Sequence, residues 1–185
     1  MKKGLLYSLI MFGVFVLTAC STHSTASQND KQETAQDTAQ EKKIQQKKEM
    51  KQAISSYSGT KLQMIATAEQ TILQQYRGLE DTSDEHKKNT LYKQIIPKYT
   101  SLKKKAANMA PQPKELKTVH RTFITGMTFQ EQALQTVLDS LRSRDHTKSL
   151  EANQLFKKAA TSFRTYHKEL VALGKKYDLK ITFSK

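Results

Sequence analysis

Apolar residues fall into four stretches whose spacings of three and four put them along one side of a helix. The first predicts a helix over about 41–77, with the stripe Ile54, Leu62, Ile65, Ala68, Ile72, Tyr76 and Leu79. Gly59 inside it marks the place for a kink or break. Thr82-Ser83-Asp84-Glu85 offers a capping box, Thr82 as N-cap and Glu85 three later. The second helix then carries Leu91, Ile95, Tyr99, Leu102, Ala106 and Met109. Pro97 lies within that pattern and removes one donor, so a bend near Lys93 is expected; the apolar register survives it, which argues against a stop. Ala110-Pro111-Gln112-Pro113 is a loop, with Pro113 placed for the first helical position and Glu115 for the first turn. The third helix carries Leu116, Val119, Phe123, Met127, Leu134, Val137 and Leu141. Asp145 or Thr147 caps the fourth, whose stripe is Leu150, Phe156, Ala160, Phe163, Leu170, Leu173 and Tyr177. The tail Leu179 to Phe183 alternates and suits an extended segment lying against the helices. Short connections between rods of similar length imply antiparallel neighbours, so the expected fold is all-α, an antiparallel four-helix bundle.

The first forty residues follow no such period. Lys2 and Lys3 precede an almost unbroken apolar run from Leu5 to Leu17, with small residues after it. That run is shorter than the roughly 20 residues needed to span a bilayer, and the layout is that of a secretory signal peptide. It ends in Leu17-Thr18-Ala19-Cys20, which resembles the lipobox of bacterial lipoproteins. The resemblance implies that the Cys20 thiol receives a diacylglyceryl group, that the leader is cut before Cys20, and that the mature protein is anchored by lipid on the extracytoplasmic face of the cell membrane. Two acyl chains suffice for stable anchoring where one holds only reversibly.

From Ser21 to about Gln40 the chain is Ser, Thr, Gln, Ala, Asn and Asp with scattered charge and no large apolar side chain. Such a segment buries too little surface to offset its ordering entropy and reads as a flexible stalk. The expected organisation is therefore a signal peptide over 1–19, a lipidated cysteine and stalk over 20–40, and a helical domain over 41–185.

Composition narrows the classes. Cys20 is the single cysteine of 185 residues, which excludes an internal disulfide and a cysteine-cluster metal site. Lys and Arg number 31 against 17 Asp and Glu; removal of Lys2 and Lys3 with the leader leaves a net charge of +12, so the domain is basic in its own right. The pairs and triplets of lysine (Lys42-Lys43, Lys47-Lys48, Lys87-Lys88, Lys103-Lys104-Lys105, Lys157-Lys158, Lys175-Lys176) are spread over all four predicted helices. Most belong to solvated faces. Together they make a positive field outside the cell that attracts anionic headgroups, wall polyphosphate polymers or extracellular nucleic acid. The expected partner of the domain is an anionic envelope polymer or another surface protein. The dispersal, the preference for Lys over Arg and the lack of a reader motif argue against sequence-specific nucleic-acid recognition.

Pro113-Lys114-Glu115-Leu116, His120, Gln132-Ala133, Ala152-Asn153 and the run 166–177 together resemble small helical extracellular lipoprotein domains of Gram-positive bacteria. That resemblance implies location and fold, and carries no activity to any residue.

No Gly-rich phosphate loop, His-Glu-x-x-His or Gly-x-Ser-x-Gly string occurs, and two Ser-x-x-Lys strings, from Ser58 and Ser101, lack the companions that give such strings meaning. No cofactor is expected, and the chain reads as a non-enzyme. The candidates for binding are polar residues on apolar stripes: His120, Gln130, Asn153 and His167, with Tyr166 and Glu169 beside the last. Folding the third helix back on the fourth brings His120 within about a helical turn of His167. Two readings stay open. His120, Gln130, Tyr166 and His167 line an interhelical pocket for a small molecule or metal, or the imidazoles sit at the rim of the core while Gln130 and Asn153 fix register through hydrogen bonds. Two histidines without a third ligand make a poor zinc site. The expected function is a membrane-anchored, non-catalytic interaction domain facing the envelope.

Overall fold

Residues 30–109 and 111–182 are described by a computed structural model, with side chains described from residue 40 onward. Over these residues the chain is helical, and no strand occurs among them. The helices are α1 (Asp30–Ser58), α2 (Thr60–Arg77), α3 (Asp84–Thr90), α4 (Ile96–Ala107), α5 (Lys114–Ser143) and α6 (His146–Lys176), with a π-helical turn over Leu91–Ile95 joining α3 to α4. The compact unit that contains the core spans Ala39–Lys185; of the preceding unit, Met1–Thr38, the described part lies in α1.

α1 starts ahead of the expected position 41, so helix covers 30–40 of the segment read as a stalk. The Gln, Glu, Ala and Lys residues there are good helix formers, and low apolar content does not by itself forbid an exposed helix. The signal peptide and residues 20–29 lie outside the described residues. Gly59 separates α1 from α2 with extended backbone (φ −79°, ψ −150°), so the long first helix is two. Beyond the break Leu62, Ile65 and Ile72 are buried as their spacing requires.

The second rod is held through its proline by a widened turn. Pro97 has no N–H, and its ring would press on the carbonyl four residues back in a regular helix. The chain adds a residue to that turn instead, and the Ile96 N–H reaches the Leu91 carbonyl. Leu91, Ile95, Tyr99, Leu102 and Ala106 are all buried, so the stripe does continue through the proline. At the start of this rod the cap is Ser83 rather than Thr82: its hydroxyl accepts the His86 N–H at 3.3 Å, while the Thr82 hydroxyl donates backward to the Leu79 carbonyl at 2.8 Å. Pro113 occupies the N-cap of α5, one residue before the expected place.

The most extensive helix packing is between α5 and α6. Lys176, at the end of α6, pairs with Glu115 at the start of α5 at 2.9 Å, while Ser140 and Ser149 meet at 2.7 Å beside the connecting turn. Gly126 permits the close approach in between: a Cβ there would stand 2.8 Å from Phe163 Cε1. Asp145 caps α6 and accepts from Thr147 N at 2.8 Å. The stripe of α6 runs through Ala152, Ala159, Tyr166, Leu170 and Leu173, so the expected phase needs correction in its first turns. Leu150 is 66% exposed, Asn153 and Ala160 are exposed, and Ala159 takes the inward position. Adjacent alanines are degenerate in a pattern built on apolarity, and a single exposed Leu is ordinary on a protein surface. The C-terminus of α6 closes in a Schellman arrangement, with Leu179 N donating to Gly174 O at 2.9 Å, Asp178 N donating to Lys175 O at 3.1 Å, and Asp178 left-handed at φ 53°. Leu179 and Ile181 then pack back on the core as expected for the tail, and Phe183 lies outside the described residues.

Candidate functional site

Three helices deliver a polar cluster into the apolar core. Tyr57 comes from the last turn of α1, three residues after the fully buried Ile54; His120 comes from α5, one position after Val119 on the buried face; Tyr166 comes from α6 between Phe163 and Leu170. Tyr57, His120 and Tyr166 are 6%, 4% and 2% exposed. Tyr57 Oη lies 3.0 Å from His120 Nδ1, with the two rings edge to face at 5.6 Å. Tyr57 also interacts with the Tyr166 side chain. With the Nε2–H side of the imidazole turned to the Ala107 backbone, Nδ1 is left to accept, so the Tyr57 hydroxyl donates to it. The imidazole also interacts with the Ala107 backbone at the end of α4, although Nε2 closes no full hydrogen bond. Phe123 covers the cluster, its ring 5.0 Å from Tyr166 and 6.3 Å from His120.

Burial sets the protonation states. It lowers the His120 pKa below the ordinary histidine value, against a smaller opposing effect from Ala107, so the ring is neutral at pH 7. Burial pushes the Tyr57 phenol up to about 12, with Tyr166 acting the other way, and raises Tyr166 further. The cluster is thus a chain of neutral donors and acceptors tying α1, α5 and α6 together.

The remaining candidates separate. Gln130 is buried on α5, two to three turns beyond His120. His167 is exposed: it follows Tyr166 by one residue, so the helix turns it outward, with its ring 5.5 Å from the Tyr166 ring. Burial still lowers its pKa. Glu169 is half-buried on the same helix, and its Oε2 closes no full hydrogen bond. The expected pocket lined jointly by His120, Gln130, Tyr166 and His167 is therefore split between core and solvent. Three grooves, of about 360, 540 and 580 Å³, are lined by other residues, chiefly of α2, α4 and α5. Among the described residues no three His, Cys, Asp or Glu side chains stand close enough to hold a metal ion. Cys20 lies outside the described residues.

A second polar network was not legible as a site. Tyr99 of α4 donates to Glu69 Oε1 of α2 at 2.6 Å. On the other flank of α4, Lys103 pairs with Glu131 of α5, and the Thr100 hydroxyl donates to the same carboxylate. Burial raises the Glu69 pKa, opposed by the Tyr99 hydrogen bond; burial and then Glu69 and Glu131 raise Tyr99. Tyr57 was equally missed, although its place three residues after Ile54 is the signal that would have found it.

Compared with known proteins, residues 1–173 match the family described as EMYY-motif containing lipoprotein. The chain belongs to the EMYY-motif lipoprotein family. It is thereby a bacterial lipoprotein, associated with the membrane through lipid, and among the described residues no helix is long and apolar enough to cross a membrane. The string Glu-Met-Tyr-Tyr itself does not occur here: Glu49-Met50 is followed by Lys51-Gln52. No curated protein and no solved structure matches the chain.

Proposed function

We propose that this lipoprotein is a non-catalytic adaptor on the extracytoplasmic face of the membrane, attached through Cys20 and engaging an anionic polymer of the cell envelope. The observation that carries the reading is the charge of the chain beyond its leader, +12 net, on a protein of a lipid-anchored family. A lipid anchor fixes the distance from the surface, and a positive field then raises the local concentration of any polyanion there. Mapping the leader to 1–19, the lipidated cysteine and tether to 20–40 and the working domain to 41–185 follows from the same reading. The rods close as an antiparallel four-helix bundle in this account, supported by the cross-pairs Lys176–Glu115, Lys103–Glu131 and Tyr99–Glu69.

The buried cluster fits a structural part in this role. Tyr57, His120 and Tyr166 are neutral and closed off by Phe123, and they join helices rather than face a groove. Binding of the full chain, reconstituted in phosphatidylcholine vesicles, to isolated envelope polymer tests the proposal. Binding that weakens steeply with salt is expected; absence of binding at low salt would refute it.

A further inference from the structure

The helix pair α3–α4 carries charge unlike any other part of the chain. Between Glu85 and Glu115 there are eight lysines and no acidic residue. Of these, Lys93, Lys98, Lys104 and Lys105 are exposed around the π turn and α4. The lysine runs that look evenly dispersed along the sequence are therefore not equivalent: Glu85 of α3 pairs with Lys88, but no carboxylate on α4 itself offsets Lys98, Lys104 and Lys105.

The surface around them is shaped. Two grooves flank α4, one of about 540 Å³ toward α5 and one of about 580 Å³ toward α2, and they meet over Pro97 and Ser101. Lys104 and Arg142 line the first, Lys98 and Lys105 the second, and no acidic side chain lines either. Two of these cations are held in place: the Lys98 ammonium donates to Gln75 Oε1 at 3.2 Å, and the Arg142 guanidinium lies 5.0 Å over the Tyr92 ring. The carboxylates beneath the ridge are engaged, Glu69 by Tyr99 and Glu131 by Lys103 and Thr100.

We infer that this ridge is a track for a linear phosphodiester polymer, whose phosphates lie against Lys98, Lys104, Lys105 and Arg142. The inference rests on the reading above and names its contact surface. A thread follows paired troughs where a flat bilayer touches a ridge only at its crest. Lys98 and Lys105 stand two turns apart, about 10 Å along the axis, enough for successive charges of one chain. Lysine suits phosphate as a point charge and asks for no base edge. The one exposed aromatic ring on the ridge, Tyr92, is covered by Arg142, so single-stranded nucleic acid finds no open stacking platform.

The test uses the full chain in phosphatidylcholine vesicles with synthetic poly(glycerol phosphate) as probe, read by co-flotation. One variant combines Lys98→Gln, Lys104→Gln, Lys105→Gln and Arg142→Gln. Another removes the same charge from α6 through Lys157→Gln, Lys158→Gln, Lys168→Gln and Lys175→Gln, all exposed positions. Unchanged helical circular dichroism establishes that both fold. The ridge variant is expected to bind about tenfold more weakly or worse, with a shallower salt dependence, and the α6 variant to change far less. Equal weakening in both would overturn the track while leaving envelope binding in place. No binding by the parent chain would overturn both. Suppression of polymer binding by phosphatidylglycerol in the same vesicles would turn the ridge toward the membrane, and stronger binding of oligo-dT would assign it to nucleic acid; either result overturns the inference.

Discussion

Tyr57→Phe removes one oxygen from the centre of the core and nothing else. The ring keeps its burial and its edge-to-face contact with His120, so the apolar contribution is unchanged. What is lost is the hydroxyl 3.0 Å from His120 Nδ1, which also interacts with Tyr166. A hydrogen bond contributes about 1 kcal/mol net, but a buried partner left without one costs about 1–3 kcal/mol. Both partners are at most 4% exposed, so water cannot replace the missing group, and a loss of about 2 kcal/mol is expected. In a chain of this size that corresponds to a fall of about 4–8 °C in Tm. His120→Leu removes the nitrogen that the first change strands, so the double variant should cost less than the sum of the singles by about 1 kcal/mol. Urea unfolding of the full chain, followed by helical circular dichroism, measures all three, with Ile54→Ala as a packing reference expected to cost about 2–5 kcal/mol. A Tyr57→Phe chain within about 0.5 kcal/mol of the parent, or strict additivity with His120→Leu, would refute the coupled cluster.

Acid and alkali should each destabilise the fold through this cluster. His120 is held below its unfolded value near 6.5, so its contribution is complete above that pH and declines as pH falls below it; His120→Leu should flatten that limb of a stability–pH profile. Tyr57 is raised to about 12, so its contribution is complete below about 10 and is lost as pH rises from there, a limb Tyr57→Phe should reduce. Gly126→Ala gains about 1 kcal/mol of helix propensity but sets a Cβ 2.8 Å from Phe163 Cε1, and overpacking of about 1–3 kcal/mol outweighs the gain. The variant should be less stable in thermal unfolding, with Phe163→Leu as a partial rescue; stabilisation would show that the ring moves freely. Ser140→Ala removes a 7% exposed hydroxyl that donates to the Asp145 carbonyl at 2.8 Å and meets Ser149, and should cost about 1 kcal/mol in the same assay.

The helical class was legible because four stripes of period 3.6 run through the chain, and most of their members are buried. Leu116, Met127, Leu134 and Leu170 are fully buried on spacing alone. What spacing does not carry is phase near helix ends. Leu150 and Asn153 fit the period of α6 yet face solvent, because Ser149, Ala152 and Ala159 take the side turned to α5. Nor does periodicity disclose partners. His120 and Gln130 were identified as polar groups on a buried face, and both are there, while Tyr166 entered only as the neighbour of His167; Tyr57, which completes the cluster, comes from another helix 63 residues away from His120. His167 was placed on the buried face by its spacing from Phe163 and Leu170, but the inward position is Tyr166, and one residue on a helix is a turn of about 100°, enough to move a ring from core to surface. The α1 start shows the opposite error. A segment without large apolar residues was read as coil, although Gln, Glu, Ala and Lys sustain helix without burial.

Anchoring turns on where the mature chain begins in the cell and what its first residue carries. Mass spectrometry of the N-terminal peptide from membrane-extracted protein decides it. An N-terminal Cys20 bearing a diacylglyceryl thioether is predicted, with 1–19 absent; a free Cys20 thiol within a chain still starting at Met1 would contradict the lipid anchor.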